Sequence, residues 1–271
     1  MKITHRRPAA PLRTIIDRYW SWESEHDTPL PLLPMMPSPG GMEIFFHFDG
    51  GFSQLAENSA PRPLPLAHTA CVRSRPIALA QTGRTGFIAV RVRAGAITRL
   101  TRLPASVLSD AFLAAADIWG NDARILAERL ADATTLDERI TLLDAFFLMP
   151  LRHTRHDHDF HAPIASLLHR PQSITELARQ TGLGTRQLEK RFLALTGTSP
   201  ARFRRLARLR RSIRSLLLAP LQTPLTSLLD PAYFDQPQQI REFREFTGLS
   251  PGELREAAAR SSHFYNRPWQ T

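Results

Sequence analysis

Five side chains able to address the edges of base pairs, Arg186, Gln187, Glu189, Lys190 and Arg191, fall within TRQLEKRFLAL (185–195). Arg and Lys pair with guanine O6 and N7, Gln with adenine N6 and N7, and Glu accepts from cytosine N4. The apolar residues between them, Leu188, Phe192 and Leu195, step by four and three. That spacing predicts a helix with a core face, and it leaves the five polar side chains on the outer face. An ordinary solvated helix face has the same composition, so the surroundings must decide.

Upstream, Ser173 followed by Glu176 has the spacing of a capping box, and Ile174, Leu177 and Ala178 give the helix ITELARQ an inner face. TGLG (181–184) is a glycine-containing turn, so two short helices around a tight turn are predicted, a helix-turn-helix. Downstream, Ser199 as N-cap and Pro200 at the first helical position open a long helix, PARFRRLARLRRSIRSLLL. Phe203, Leu206, Ile213 and Leu217 are expected along one side of it. Arginines 202, 204, 205, 208, 210, 211 and 214 are expected along the other. Between Arg170 and Arg214 twelve basic residues face only Glu176 and Glu189, a net of +10 equal to the excess of the whole chain. Such a concentration beside a base-reading helix is what phosphate neutralisation requires. Phosphate contacts are expected from Thr185, Arg191, Arg202, Arg204, Arg205 and Arg208.

The phrase TGTSP at 196–200 returns as TGLSP at 247–251, and the 51-residue offset also sets Phe192 on Phe243, Lys190 on Arg241 and Gln187 on Gln238. GLGTRQLEKRFLALTGTSPARFRRLARLRRS followed by YFDQPQQIREFREFTGLSP resembles the paired helix-turn-helix domain of the AraC/XylS transcription regulators. The resemblance covers about residues 162 to 258. It implies two units joined by a long helix, each closed by TGxSP, with two recognition helices in successive major-groove segments. Base contacts from the second unit are then expected from Gln236, Gln238 and Arg241. This unit departs from the family pattern. Gln239 stands at a core-facing position, Asp230-Pro231 falls where its first helix should finish, and Ala232 replaces the usual turn glycine. From Leu221 to Glu256 the acids Asp230, Asp235, Glu242, Glu245, Glu253 and Glu256 outnumber Arg241, Arg244 and Arg255. Repulsion from phosphate is expected to weaken this half, so the first unit should supply most of the affinity.

The elements before this domain have a different character. Eleven of the 22 prolines lie in the first 76 residues, which argues for strands and loops there. MEIFFHF (42–48) alternates, with Met42, Ile44, Phe46 and Phe48 on one face and Glu43, Phe45 and His47 on the other, the pattern of a half-buried strand. PLPLAHTACV, PIALAQ and GFIAVRVR read as further strands. After Gly95 the pattern turns helical, with Leu136, Ile140, Leu143 and Phe147 at helical spacing. The expected fold class is α+β. A β-rich domain with trailing helices over residues 1–150 is followed by a linker over 151–161, then an all-α domain over 162–260 with helix-turn-helix units near 173–195 and 224–246, and a tail over 261–271. Residues 1–150 also resemble, more loosely, an uncharacterised N-terminal domain of a group of AraC-like regulators. The matching features are Tyr19-Trp20, the EIFFHF strand, GFIAVRVRAGAITRLTRLPASVLSD and the DIWG segment. That resemblance implies a sensor for an effector or partner. Trp20, Trp22, Phe45, His47, Arg91 and Arg93 are its candidate pocket residues, with core aromatics and solvated arginines as the stronger alternative reading.

No nucleophile-base signature, phosphate-binding glycine loop or His-Glu metal motif is present in this half, so no enzyme chemistry, metal or cofactor is assigned. His153, His156, His158 and His161, with Asp157 and Asp159, are metal-binding types, but without a second ligand cluster they read as solvated linker. The single cysteine, Cys71, admits no internal disulfide and fits a reducing compartment. No apolar run of about 20 residues is present, so no membrane span and a cytoplasmic protein are expected. Double-stranded DNA is the expected partner. RNA polymerase, a small-molecule effector and a second copy joined through the N-terminal domain complete the set that the resemblance implies. A module binding nucleic acid without sequence preference, or binding protein, is the alternative reading, and a methyl-acceptor protein acting through Cys71 a remote one.

Overall fold

A computed structural model describes residues 2–261 apart from 25–30, 40, 57–58, 72, 152–160, 170–171, 229, 231–232 and 234. Among the described residues nine strands come first: β1 (Lys2–Arg6), β2 (Ile16–Glu23), β3 (Met42–Asp49), β4 (Phe52–Leu55), β5 (Arg62–Pro63), β6 (Ala67–Ala70), β7 (Ala78–Gln81), β8 (Gly86–Val92) and β9 (Phe112–Ala114). They form an antiparallel six-stranded sheet in the order β1-β2-β8-β3-β6-β9 and a three-stranded sheet β5-β4-β7. Four helices are interleaved or follow: α1 (Ile97–Thr101), α2 (Ala115–Trp119), α3 (Asn121–Asp132) and α4 (Leu136–Leu151).

The central strand β3 is buried on both faces, which corrects the half-buried reading of its alternation. Met42, Ile44 and Phe46 join Tyr19, Ile88 and Val90 under α3 and α4, whose Leu126, Leu130, Leu143 and Phe147 close that core. Phe45 projects the other way, among Trp20, Trp22, Phe87, Phe52 and Leu79, where the small sheet covers the large one. Two apolar layers on opposite faces need alternating side chains that are all large, and a polar exposed face never develops. The three-residue β9 interrupts the stretch read as helical.

The elements described in the second half are all helices: α5 (His161–His169), α6 (Ile174–Thr181), α7 (Thr185–Thr196), α8 (Pro200–Leu218), α9 (Gln236–Thr247) and α10 (Pro251–Ala259). The expected caps form. Ser173, Ser199 and Ser250 accept from the backbone N–H groups of Glu176, Arg202 and Glu253, and Gly182, Gly197 and Gly248 end helices in the left-handed conformation. Only Ser250 and Glu253 make the reciprocal capping box. The Glu176 carboxylate turns instead to Arg179 and Gln180. Leu177, Leu188, Phe192 and Phe203 pack with Ile164 and Leu167 as the core of the first unit. Leu206, Leu209, Ile213 and Leu216 of α8 pack with Phe243, Phe246 and Leu254 in the second. Leu217, expected on this face, is only partly buried.

The two halves are packed together. Leu33 and Met36 enter the core of the second unit, and Ala94 enters that of the first. A 3-10 turn, Ala105–Leu108, lies against α7, and Ser109 Oγ donates to the Gly197 carbonyl at 3.4 Å.

Candidate nucleic-acid interface

The turn glycine Gly182 and the N-cap Gly184 set the start of α7 against α6, and burial of Leu188 and Phe192 fixes its rotation. Arg186, Gln187, Glu189 and Lys190 are consequently exposed on the opposite side, each without a hydrogen bond or ion pair among the described residues. Thr185, the first residue of the helix, is exposed beside them, and Arg191 is half-buried with partners of its own. The geometry is a helix N-terminus plus a band of four unengaged polar side chains, which suits entry into a major groove.

The second unit is built differently. Where the first unit has α6, the described residues of the second show a 3-10 turn, Leu225–Leu228, followed by Asp230. Pro231 and Ala232 themselves lie outside the described residues. Gln239 does face the core, 3 % exposed, and its Oε1 has no hydrogen-bond partner among the described residues. Along α9, Gln236 and Arg241 are exposed, and Gln238 is half-buried and hydrogen-bonded at its backbone to the Asp235 cap.

The charge pattern has a different destination from the one expected. Glu242, 5 % exposed, accepts from Arg205 at 3.2 Å, from Arg208 at 2.6 Å and from the Tyr233 hydroxyl at 2.9 Å. Arg205 also pairs with Glu245 and lies over the Phe246 ring, and Arg208 lies over Tyr233. The bond to Glu245, followed by those to Glu242, holds the Arg205 pKa above its ordinary value. Asp230 takes Arg211 at 2.8 Å, Asp235 caps α9 and Glu253 caps α10. Of the six acids counted against phosphate binding, Asp230, Glu242 and Glu245 are paired with arginines of α8, which offsets their repulsion, whereas the caps Asp235 and Glu253 keep their charge. The same bonds occupy two of the expected phosphate contacts, Arg205 and Arg208. Arg202 is exposed, with its guanidinium near the Ser74 carbonyl (3.4 Å) and the Phe246 ring. Arg204 is exposed and has no partner among the described residues.

The candidate pocket residues divide. Trp20, Trp22 and Phe45 are closed core between the sheets. His47 is 6 % exposed, and its ring stacks on His68 at 5.6 Å. Burial, with His68 next to it, pushes the His47 pKa down to about 3, and burial pushes His68 to about 4, so both rings are neutral. Arg91 and Arg93 instead border a cavity of about 230 Å³ where β2, β3 and β8 meet α5 and α8. Asp17, Arg18, Glu43, Arg73, Arg210 and Arg214 also border it, none of them expected there from the sequence. The only local signal was the four-residue spacing of Arg210 and Arg214. The rest come from segments far apart in the chain. Cys71 is 1 % exposed in the core. Among the described residues no group of three His, Cys, Asp or Glu could hold a metal, and the histidines of 152–160 lie outside them. Among the described residues no helix is long and apolar enough to cross a membrane.

Residues 177–257 match the family model of a helix-turn-helix domain, and residues 4–114 match a domain of unknown function, DUF6597. No curated protein matches the chain in sequence. Among solved structures it is similar to an apo variant of ToxT from Vibrio cholerae, with 10% identity over 95% of this chain and 100% of that one, TM-score 0.47. It is also similar to Vibrio cholerae ToxT bound to an unsaturated fatty acid, with 11% identity over 95% and 98%, TM-score 0.46. The AraC-like transcriptional activator CuxR is similar at 14% identity over 77% and 86%, TM-score 0.26. The helical half thus carries an AraC-type helix-turn-helix domain, a DNA-binding module of transcription regulators, with a DUF6597 domain ahead of it.

Proposed function

We propose that this regulator reads duplex DNA in a sequence-specific way chiefly through α7, with α9 adding a smaller share through Gln236, Gln238 and Arg241. The observation that carries the reading is the band Arg186, Gln187, Glu189 and Lys190, exposed and unengaged on one side of α7. Phosphate contacts fall to Thr185, Arg191, Arg202 and Arg204, with Arg205 and Arg208 acting first as anchors for α9. The dominance of the first unit rests chiefly on the 3-10 turn that the described residues show where the second unit should begin, and on the buried, unpaired Oε1 of Gln239. Residues 1–150 act as the regulatory domain, 151–161 as the linker and 162–260 as the DNA-binding domain. We read the protein as non-enzymatic and cytoplasmic, answering to an effector, with RNA polymerase and a second copy as further partners.

Selection of binding sites from random duplex DNA tests this. Full-length protein should enrich a motif, and Arg186→Ala or Lys190→Ala should erase information at individual positions, at about 1–3 kcal/mol per lost base contact. Arg241→Ala should cost less than Arg186→Ala. Equal losses would end the claim for α7, and tight salt-sensitive binding with no enriched motif would make the protein a non-specific binder.

A further inference from the structure

Arginines 202, 205, 208 and 211 recur at every third position of α8, about 4.5 Å apart along its axis. Their partners run backward through the second unit. Arg202 lies over the Phe246 ring, and Arg205 lies over the same ring and pairs with Glu245 and Glu242. Arg208 grips Glu242 with two N–H groups, Nε to Oε1 at 3.1 Å and Nη2 to Oε2 at 2.6 Å, while its guanidinium lies over Tyr233. The Tyr233 hydroxyl donates to the same Oε1 at 2.9 Å. Arg211 takes Asp230 at 2.8 Å and reaches the Leu168 carbonyl of α5 at 3.2 Å, which ties the row to the first unit. Glu242, 5 % exposed, is the centre of this row and accepts from three different side chains.

The apolar contact between α8 and α9, Leu206, Leu209 and Ile213 with Phe243 and Phe246, draws the helices together without fixing a direction. In the first unit α6 braces α7 through Leu177. In the second, the described residues show a 3-10 turn at that place, and Gln239 leaves a buried oxygen unpaired. A bidentate guanidinium–carboxylate pair, by contrast, has a set plane and two set distances. We propose that Glu242 is a positioning residue for DNA recognition: held by Arg205, Arg208 and Tyr233, it sets the rotation of α9 about its axis, and so which bases the second half-site must offer to Gln236 and Arg241. The inference rests on the proposed reading of DNA by α9 beside α7. A rotation of about 20° moves an atom roughly 6 Å from the helix axis by about 2 Å, enough to break a hydrogen bond. Glu242 itself faces α8 and touches no DNA, so its effect on specificity is exerted through the helix it holds.

Site selection from random duplex DNA tests this with the full-length wild type, Glu242→Gln, Arg208→Lys and the double variant Gln239→Leu/Glu242→Gln, at a temperature where thermal unfolding shows each to be folded. Wild type should enrich two half-sites. Glu242→Gln should flatten the α9 half and leave the α7 half intact, with affinity for the full site down roughly tenfold, the equivalent of one lost base contact. Arg208→Lys keeps the charge that a phosphate contact needs but cannot bind bidentately. It should flatten the same half while non-specific binding and its salt slope stay unchanged, and it carries the test alone should Glu242→Gln fail to fold. In the double variant, loss of the unpaired oxygen should restore the Tm but not the α9 half, which separates positioning from stabilisation. Recovery of the α9 half together with the Tm, equal losses in both halves, or unaltered motifs in Glu242→Gln and Arg208→Lys would overturn the proposal. A wild-type motif with one half-site only would refute the DNA reading by α9 and the positioning with it. Two half-sites indifferent to Glu242 would refute the positioning alone.

Discussion

The duplicated TGxSP phrase supplies its own control for the contact between the two halves. Gly197 and Gly248 end α7 and α9 with φ of 73° and 74°. Alanine at either must hold the left-handed conformation, at a cost of about 1–2 kcal/mol. At Gly248 that is the whole cost, because a Cβ there would meet nothing within 4 Å. At Gly197 the Cβ would collide with Ser109 Oγ and lie 2.9 Å from the Ala105 carbonyl oxygen. Ala105 is backbone of the 3-10 turn seated on α7 and cannot swing aside as a side chain tip would. Overpacking of this kind typically costs a further 1–3 kcal/mol, so Gly197→Ala should lose about 2–5 kcal/mol and Gly248→Ala about 1–2. Urea unfolding followed by tryptophan fluorescence reads the difference. In Gly197→Ala the helical half should also become more sensitive to protease than in Gly248→Ala. Losses equal within about 0.5 kcal/mol would show that the turn does not press on α7.

Other expectations concern buried polar groups. Glu242→Gln should lower stability by about 1–3 kcal/mol, less than the loss for a fully buried pair because Arg205 remains 41% exposed and can rehydrate; calorimetry at low and high salt would check it. Gln239→Leu should stabilise the second unit by about 1–3 kcal/mol through removal of an unpaired buried oxygen, measured as a higher urea midpoint. His47 and His68 remain neutral in the folded state down to about pH 3 and 4, while their unfolded counterparts take up protons near the ordinary value of 6.5. The unfolded chain binds more protons on acidification, so stability should fall from about pH 6.5 downward, approaching 2.7 kcal/mol per pH unit for the pair. Denaturation at pH 7, 6 and 5 should show this slope, and His47→Phe should roughly halve it.

What the sequence disclosed and what it hid follow from distance along the chain. Caps and turns are local, and Ser173, Ser199, Ser250, Gly182, Gly197 and Gly248 all behave as their neighbours dictate. The fates of charges are not local. Arg205 and Arg208 meet Glu242 across 37 and 34 residues, so counting charges by segment assigned both sets to DNA, one attracted and one repelled. Alternation in β3 identified a strand, but nothing in a period of two says whether a second sheet covers the polar-looking face. The cleft around Arg214 draws on β2, β3, β8, α5 and α8, and no window of sequence contains it.

The 19 residues of α8 span about 28 Å at roughly 1.5 Å per residue, and its flanks are fastened to both recognition helices' supporting cores. A rod of that length pinned at each end is a ruler. An operator whose two half-sites were moved apart by a few base pairs would turn one of them away from the protein, since a full helical turn takes about 10.5 bp. If α9 reads DNA beside α7 as proposed, the permitted spacing in the target is set by the length of this one helix, and regulatory sites should tolerate substitutions between their halves far better than insertions.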